Sequence, residues 1–285
     1  MKRAETVAAV RAAVADLRRD GRCVALVPTM GALHAGHESL VRRGGAAGAA
    51  VVLSTFVNPL QFGPGEDFES YPREPARDAA LAAAWGVEAL FAPAVSELLP
   101  QGRQVTVDPG PLGDRLEGRA RPGHFRGVLT IVAKLLNAVT PDLAILGQKD
   151  LQQAVLVRAM VRDLDLPVRI DVAPVVREAD GLALSSRNAY LSPAERSAAP
   201  GLHRALRAGE AAVRTGEGRP AAVREAALRE LAGAPTLVAD YLEVLRADDL
   251  SEIDEVRGPV ALVAAARLGR TRLLDNVLVN AGGGT

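Results

Sequence analysis

The sequence predicts an α/β protein: a Rossmann-like domain built on a parallel sheet, followed by a smaller C-terminal α+β domain. Three observations carry this. Short continuous apolar runs at 24–27, 49–57, 87–91 and 141–146 lack the alternation of a half-exposed strand, so they read as strands buried on both faces. Helical periodicity separates them, the signature of crossover connections. After Ser192 the pattern changes to Ala/Arg/Glu helices followed by three strand candidates.

The elements follow in order. Val, Ala and Leu recur at helical spacing among the charges of 4–19, an amphipathic helix ending in Asp20-Gly21. Residues 24–27 form the first strand, closed by Pro28, and Leu40-Val41-Arg42-Arg43 mark a helix over 36–43 that stops at Gly44-Gly45. The second strand, 49–57, completes a βαβ unit. A loop punctuated by Pro and Gly covers 57–73, then come a helix at 74–86 and a strand at 87–91. Residues 93–113 read as irregular, with a strand candidate at 104–107. Val128, Ile131, Val132, Leu135 and Leu136 define a helix from Gly127, with His124 and Arg126 in its lead-in loop. A strand at 141–146, a helix at 151–162 and a strand at 167–176 follow. The C-terminal part reads as helices at 193–214 and 220–232, strands at 236–245, 260–266 and 271–279, and a frayed GGGT tail.

The chain is organised around VALVPTMGALHAGH, residues 24–37. Open α/β sheets bind ligands at the carboxyl ends of their strands, and a helix N-terminus there favours anions. His34 and His37 fall in the first helical turn, where two imidazoles can donate to a phosphate whose charge grows during displacement. Taken alone, the pair also suits ordinary loop residues or half of a metal set, though no Cys or third His lies nearby to complete one. In the 57–73 loop, Asn58 and Gln61 offer amides to a hydroxy acid while Phe62, Phe68 and Tyr71 either close over it or form a surface cluster. Lys149 falls at the strand-to-helix turn Gly147-Gln148-Lys149-Asp150, within reach of nucleotide phosphates, and Asp150 suits either a helix cap or a ribose contact. Ser185, Ser186 and Arg187 present two hydroxyls and a guanidinium, fit for triphosphate oxygens or for a capped turn.

Composition narrows the classes. With 34 basic and 34 acidic residues the chain carries no general footprint for nucleic acid or an anionic membrane. The single Cys23, beside the first strand and expected in the core or at its edge, excludes an intrachain disulfide and fits a reducing cytoplasm. No run approaches ~20 apolar residues, so no membrane span is expected. Arginine outnumbers lysine 31 to 3, which draws attention to each lysine. Without clustered carboxylates no dedicated metal site is expected; Mg²⁺ would arrive with the nucleotide.

The strand–turn–HxGH–helix pattern resembles the nucleotidyltransferase superfamily that includes the class I aminoacyl-tRNA synthetases. Five segments in order, PTMGALHAGH, FVNPLQF, RPGHFRGV, GQKDLQQ and LALSSRNAYL, resemble the pantothenate synthetase family across about 24–192. That resemblance implies an ATP-dependent ligase: (R)-pantoate attacks the α-phosphate to give pantoyl adenylate and pyrophosphate, and β-alanine converts the adenylate to pantothenate and AMP. It implies an ATP site at Met30, Gly31, His34, Gly36, His37, Gly147, Lys149, Asp150, Val176, Leu184, Ser185, Ser186 and Arg187, with His34, His37, Lys149 and Arg187 catalytic. Substrate contacts are implied at Gln61, Gln153, Asn58, Tyr71 and His124. It further implies a catalytic domain at 1–184, a domain at 185–285 covering the active site, and a cytoplasmic homodimer. Gln148 stands where the family usually has Glu, Leu151 where an aromatic is common, and Leu184 where Met is usual. Two other readings remain: transfer of AMP or CMP to a phosphorylated acceptor, and a non-catalytic nucleotide sensor.

Overall fold

Residues 1–282 are described in this computed structural model; of the frayed tail expected at 282–285, residues 283–285 lie outside them. The chain divides into two units, Met1–Gly147 with Leu156–Pro174, and Gln148–Val155 with the residues from Val175 onward.

The first unit holds β1 (Lys2–Ala4), α1 (Val7–Arg19), β2 (Val24–Thr29), α2 (Ala35–Ala46), β3 (Ala50–Thr55), α3 (Pro75–Ala84), β4 (Ala89–Phe91), α4 (Val95–Leu98), α5 (Glu117–Ala120), α6 (His124–Val139) and β5 (Leu143–Gly147). Then α7 (Leu151–Asp163), whose residues are shared between the units, leads into β6 (Arg169–Ala173). The strands form one sheet in the order β1-β4-β3-β2-β5-β6, every pair parallel. The order reverses at β2, so the carboxyl ends of β2 and β5 flank the topological switch point where such sheets bind ligands. Val24, Ala25, Leu26 and Val27 are completely buried, as their unbroken apolar run requires.

Several expectations are corrected. The first helix begins at Val7, where Thr6 accepts from the Ala9 N–H, and Lys2–Ala4 instead pairs with β4 as an edge strand too short to leave a pattern. The second helix continues through the Gly44-Gly45 stop because Gly44 is a contact point: a Cβ there would lie 2.9 Å from Val51 and 3.1 Å from Ile145. No strand forms at 104–107; Val105 is 80% exposed and finds no apolar partner surface. Cys23 is exposed rather than in the core or at its edge.

In the second unit, α8 (Pro193–Ala198) and α9 (Gly201–Arg214) replace a single expected helix, broken where Pro200 cannot donate a backbone hydrogen bond. α10 (Pro220–Leu231) follows, then β7 (Leu237–Arg246), β8 (Gly258–Leu268) and β9 (Thr271–Ala281), an antiparallel sheet in sequence order. Leu206, Val223, Leu242 and Leu262 lie in the core of this unit. Among the described residues no helix is long and apolar enough to cross a membrane.

Candidate active site

The turn leaving β2 is built to aim α2. Thr29 Oγ1 donates to the Ser54 carbonyl at 2.7 Å and accepts from the Gly31 N–H at 3.1 Å. Gly31 and Ala32 both take left-handed φ values, +85° and +51°. Asp78 of α3, 4% exposed, accepts from the N–H groups of Ala32 and Leu33 at 3.0 and 2.9 Å. A Cβ at residue 31 would stand 2.8 Å from that carboxylate, so the approach as well as the φ demands glycine.

His34 is the N-cap of α2 and His37 its third residue. The Gly36 N–H donates to His34 Nδ1 at 3.1 Å, and the His34 N–H donates to His37 Nδ1 at 3.3 Å, a reciprocal cap that satisfies two orphan donors of the helix. The ring centroids are 4.1 Å apart. Because each Nδ1 accepts, the neutral imidazoles carry their proton on Nε2. Capping therefore fixes the tautomer: two Nε2 donors at the positive end of a helix dipole.

At the end of β3 a single 3₁₀ turn, Pro59–Gln61, carries Gln61. Asn58, 1% exposed, accepts from the Leu60 N–H at 3.0 Å and donates to Gln61 Oε1 at 3.0 Å and to the Gly127 carbonyl at 3.1 Å. Gln61 Nε2 in turn donates to Met30 Sδ at 3.0 Å. Asn58 thus ties Gln61 to the Leu60 and Gly127 backbone and holds that amide in one orientation. Gly127 lets α6 press on this turn, since a Cβ there would meet the Leu60 carbonyl oxygen at 2.1 Å.

His124 is the first residue of α6, not part of a lead-in loop, and is 9% exposed. Its Nδ1 lies 2.8 Å from the Gln61 carbonyl oxygen and its Nε2 lies 3.1 Å from Arg121 Nη1. Burial, and then the neighbouring Arg121 cation, lower its pKa to about 4, so the ring is neutral, donating from Nδ1 to Gln61 and accepting from Arg121. Burial would raise Glu66, but the two-pronged grip of Arg121, at 2.7 and 2.6 Å, outweighs it and holds that carboxyl below its ordinary value. Tyr71, 5% exposed, packs edge-on to Phe62 at 6.0 Å, and Phe62 meets Phe68 at 5.4 Å, so the loop aromatics form one cluster. The first unit thereby brings Met30, Gly31, His34, Gly36 and His37 together with Asn58, Gln61, Tyr71 and His124 around the ends of β2 and β3; Gly147 closes β5.

The second unit collects the other groups. Lys149 lies in the 3₁₀ turn Gln148–Asp150, its Nζ 3.4 Å from Asp150 Oδ1, and half-buried Gln153 follows in the first turn of α7. Ser185 caps the 3₁₀ turn Ser186–Tyr190 by accepting from the Arg187 N–H at 3.3 Å, and the Leu184 N–H donates to the Val176 carbonyl at 2.9 Å. Lys149, Ser185 and Arg187 line one pocket, with Asn188, His203 and Asp275 on its walls. Among the described residues no group of three His, Cys, Asp or Glu stands close enough to hold a metal ion.

Sequence reasoning missed Asp78, the Arg121–Glu66 pair and Asn276. Asp78 had a signal: it shares the buried face of an Ala-rich helix with Ala79 and Ala82, a place where an acid must have partners. Asn276 had none, standing in β9 far along the chain from the turn it touches.

The family model described as Pantoate-beta-alanine ligase matches residues 2–278. The pantothenate synthetase of Moorella thermoacetica is 50% identical over 98% of this chain and 99% of its own length, and that of Saccharopolyspora erythraea is 54% identical over 92% and 86%. The crystal structure of the pantothenate synthetase from Thermus thermophilus superposes with a TM-score of 0.91 at 45% identity, covering 97% of this chain and 99% of that one. The Francisella tularensis pantoate-beta-alanine ligase, solved with beta-gamma ATP and beta-alanine, superposes with a TM-score of 0.81 at 30% identity, covering 98% and 97%. On sequence and on fold alike, the chain belongs to the pantoate-beta-alanine ligase family.

Proposed function

We propose that this chain condenses (R)-pantoate with β-alanine at the expense of ATP, through pantoyl adenylate. The observation that carries the chemistry is the reciprocal His34–His37 cap, which sets two Nε2 donors at the start of α2 beside the switch point of the sheet. In the first step the pantoate carboxylate attacks the α-phosphate, the bond to the β-phosphate bridging oxygen breaks, and pyrophosphate leaves. His34 and His37 donate to the phosphate oxygens as charge grows on them, and Lys149, Ser186 and Arg187 hold the leaving pyrophosphate. Met30, Gly31, Gly36, Gly147, Asp150, Val176, Leu184 and Ser185 complete the nucleotide contacts.

Gln61 and Gln153 hold pantoate, with Asn58 and His124 fixing Gln61 and Tyr71 walling the loop. In the second step the β-alanine amine attacks the acyl carbon and AMP departs; held in place, an activated acyl group needs little more than orientation. Mg²⁺ enters with ATP as part of the substrate. We place the protein in the cytoplasm and take it to be a homodimer whose C-terminal domain serves the same reaction.

The test is a product assay with Mg²⁺, ATP, (R)-pantoate and β-alanine, omitting each in turn. AMP and pantothenate should appear only with both acids present, while pyrophosphate exchange into ATP should need pantoate alone. ADP as product would overturn the adenylate route, and ATP binding without turnover would favour a sensor.

A further inference from the structure

The two-residue step Asp275-Asn276 in β9 lies outside every motif that marks the nucleotide site, yet it holds two of those motifs. Asn276 is 2% exposed, and its side-chain amide is fully engaged. Its Nδ2 donates to the carbonyl oxygens of Gln148 at 2.9 Å and Lys149 at 3.1 Å, and its Oδ1 accepts from Gln148 Nε2 at 2.9 Å. Only one orientation of the amide works, because two carbonyls need donors and the Gln148 amide needs an acceptor.

The preceding residue faces the other motif. Asp275, 5% exposed, takes a two-pronged ion pair from Arg177 at 2.6 and 2.9 Å and accepts from the Asn276 N–H at 2.7 Å. Arg177 also donates to the carbonyls of Gly181 and Asn276 at 3.1 and 3.2 Å, tying down the turn that precedes Ser185–Arg187. One strand step therefore sets the Lys149 turn and the Ser185–Arg187 segment in register with each other, all within the second unit.

We propose that Asn276 is a positioning residue for adenylate formation, clamping the peptide carbonyls on either side of the Lys149 Cα so that the Lys149 ammonium stands where the leaving pyrophosphate develops charge. The proposal rests on the ligase reading above. Gln148 adds to the clamp by donating to Asn276 Oδ1, the one acceptor of that amide.

The test separates the half-reactions. Asn276→Ala should slow pantoate-dependent pyrophosphate exchange about 10- to 100-fold, with the KM for pantoate and the aminolysis of supplied pantoyl adenylate by β-alanine unchanged. In a Lys149→Ala background the same substitution should cause no further loss, since Asn276 acts through Lys149. Gln148→Met, which removes the donor to Asn276 Oδ1 without adding charge, should shift the same half-reaction in the same direction and stands in if the Asn276 variant does not fold. Equal loss in both half-reactions, or the full loss repeated in the Lys149→Ala background, would overturn the proposal alone. Absence of pyrophosphate exchange in the unaltered protein would overturn the ligase reading and the proposal with it.

Discussion

A histidine does opposite work at two places in this chain. At His37, Nδ1 belongs to the helix cap and Nε2 to the proposed chemistry, so the two functions separate by substitution. His37→Asn keeps an acceptor for the His34 N–H but removes the Nε2 donor; pyrophosphate exchange should fall by about 10²–10³, with little change in the thermal midpoint. At His124 both nitrogens belong to the architecture. Its folded pKa, about 4, lies below the ordinary 6.5, so between those values the unfolded chain binds the proton that the folded chain refuses. Stability is therefore flat above the upper value and falls as pH drops through the window, by about 2 kcal/mol between pH 7 and pH 5. Urea midpoints at the two pH values should show that loss in the unaltered protein and much less of it in His124→Asn. An equal loss in both would assign the acid sensitivity to other groups.

At the scale of elements, α2 is located by contacts that leave no room for change on one side and ample room on the other. A methyl group at Gly44 would improve helix propensity by about 1 kcal/mol but force α2 off Val51 and Ile145 at about 1–3 kcal/mol. The adjacent Gly45 has nothing within 4 Å of the same added atom. Gly44→Ala should therefore destabilise, and Gly45→Ala stabilise by up to about 1 kcal/mol, in parallel urea titrations. The start of the same helix depends on α3. Asp78→Asn would turn an NH₂ towards one of two backbone N–H groups that now share a carboxylate, destabilising by about 2–3 kcal/mol. Because the Ala32–Leu33 backbone leads straight into His34, the same variant should lose kcat more than it raises KM.

Across the whole molecule, legibility followed the kind of burial. Strands β2 to β5 were readable because a strand covered on both faces has to be continuously apolar. β1 was not, since three residues reading Lys-Arg-Ala take their strand character from β4. The groups proposed to face phosphate stand out in the sequence because they sit in compact motifs at strand ends, whereas their supports do not. Glu66, Arg121 and Asn276 look like ordinary polar residues until the chain brings each to a partner 55 to 128 positions away. That distance also sets an order in time. Lys149 emerges from synthesis 127 residues before Asn276, an interval of about 6–25 s at the usual pace of translation. During it the parallel sheet and the histidine cap can already assemble, while the lysine turn has no clamp. A growing chain can thus complete the proposed lysine clamp only once β9 has been made and paired, and a ribosome stalled before that strand should display a folded parallel sheet whose pyrophosphate exchange is depressed at least as far as in Asn276→Ala.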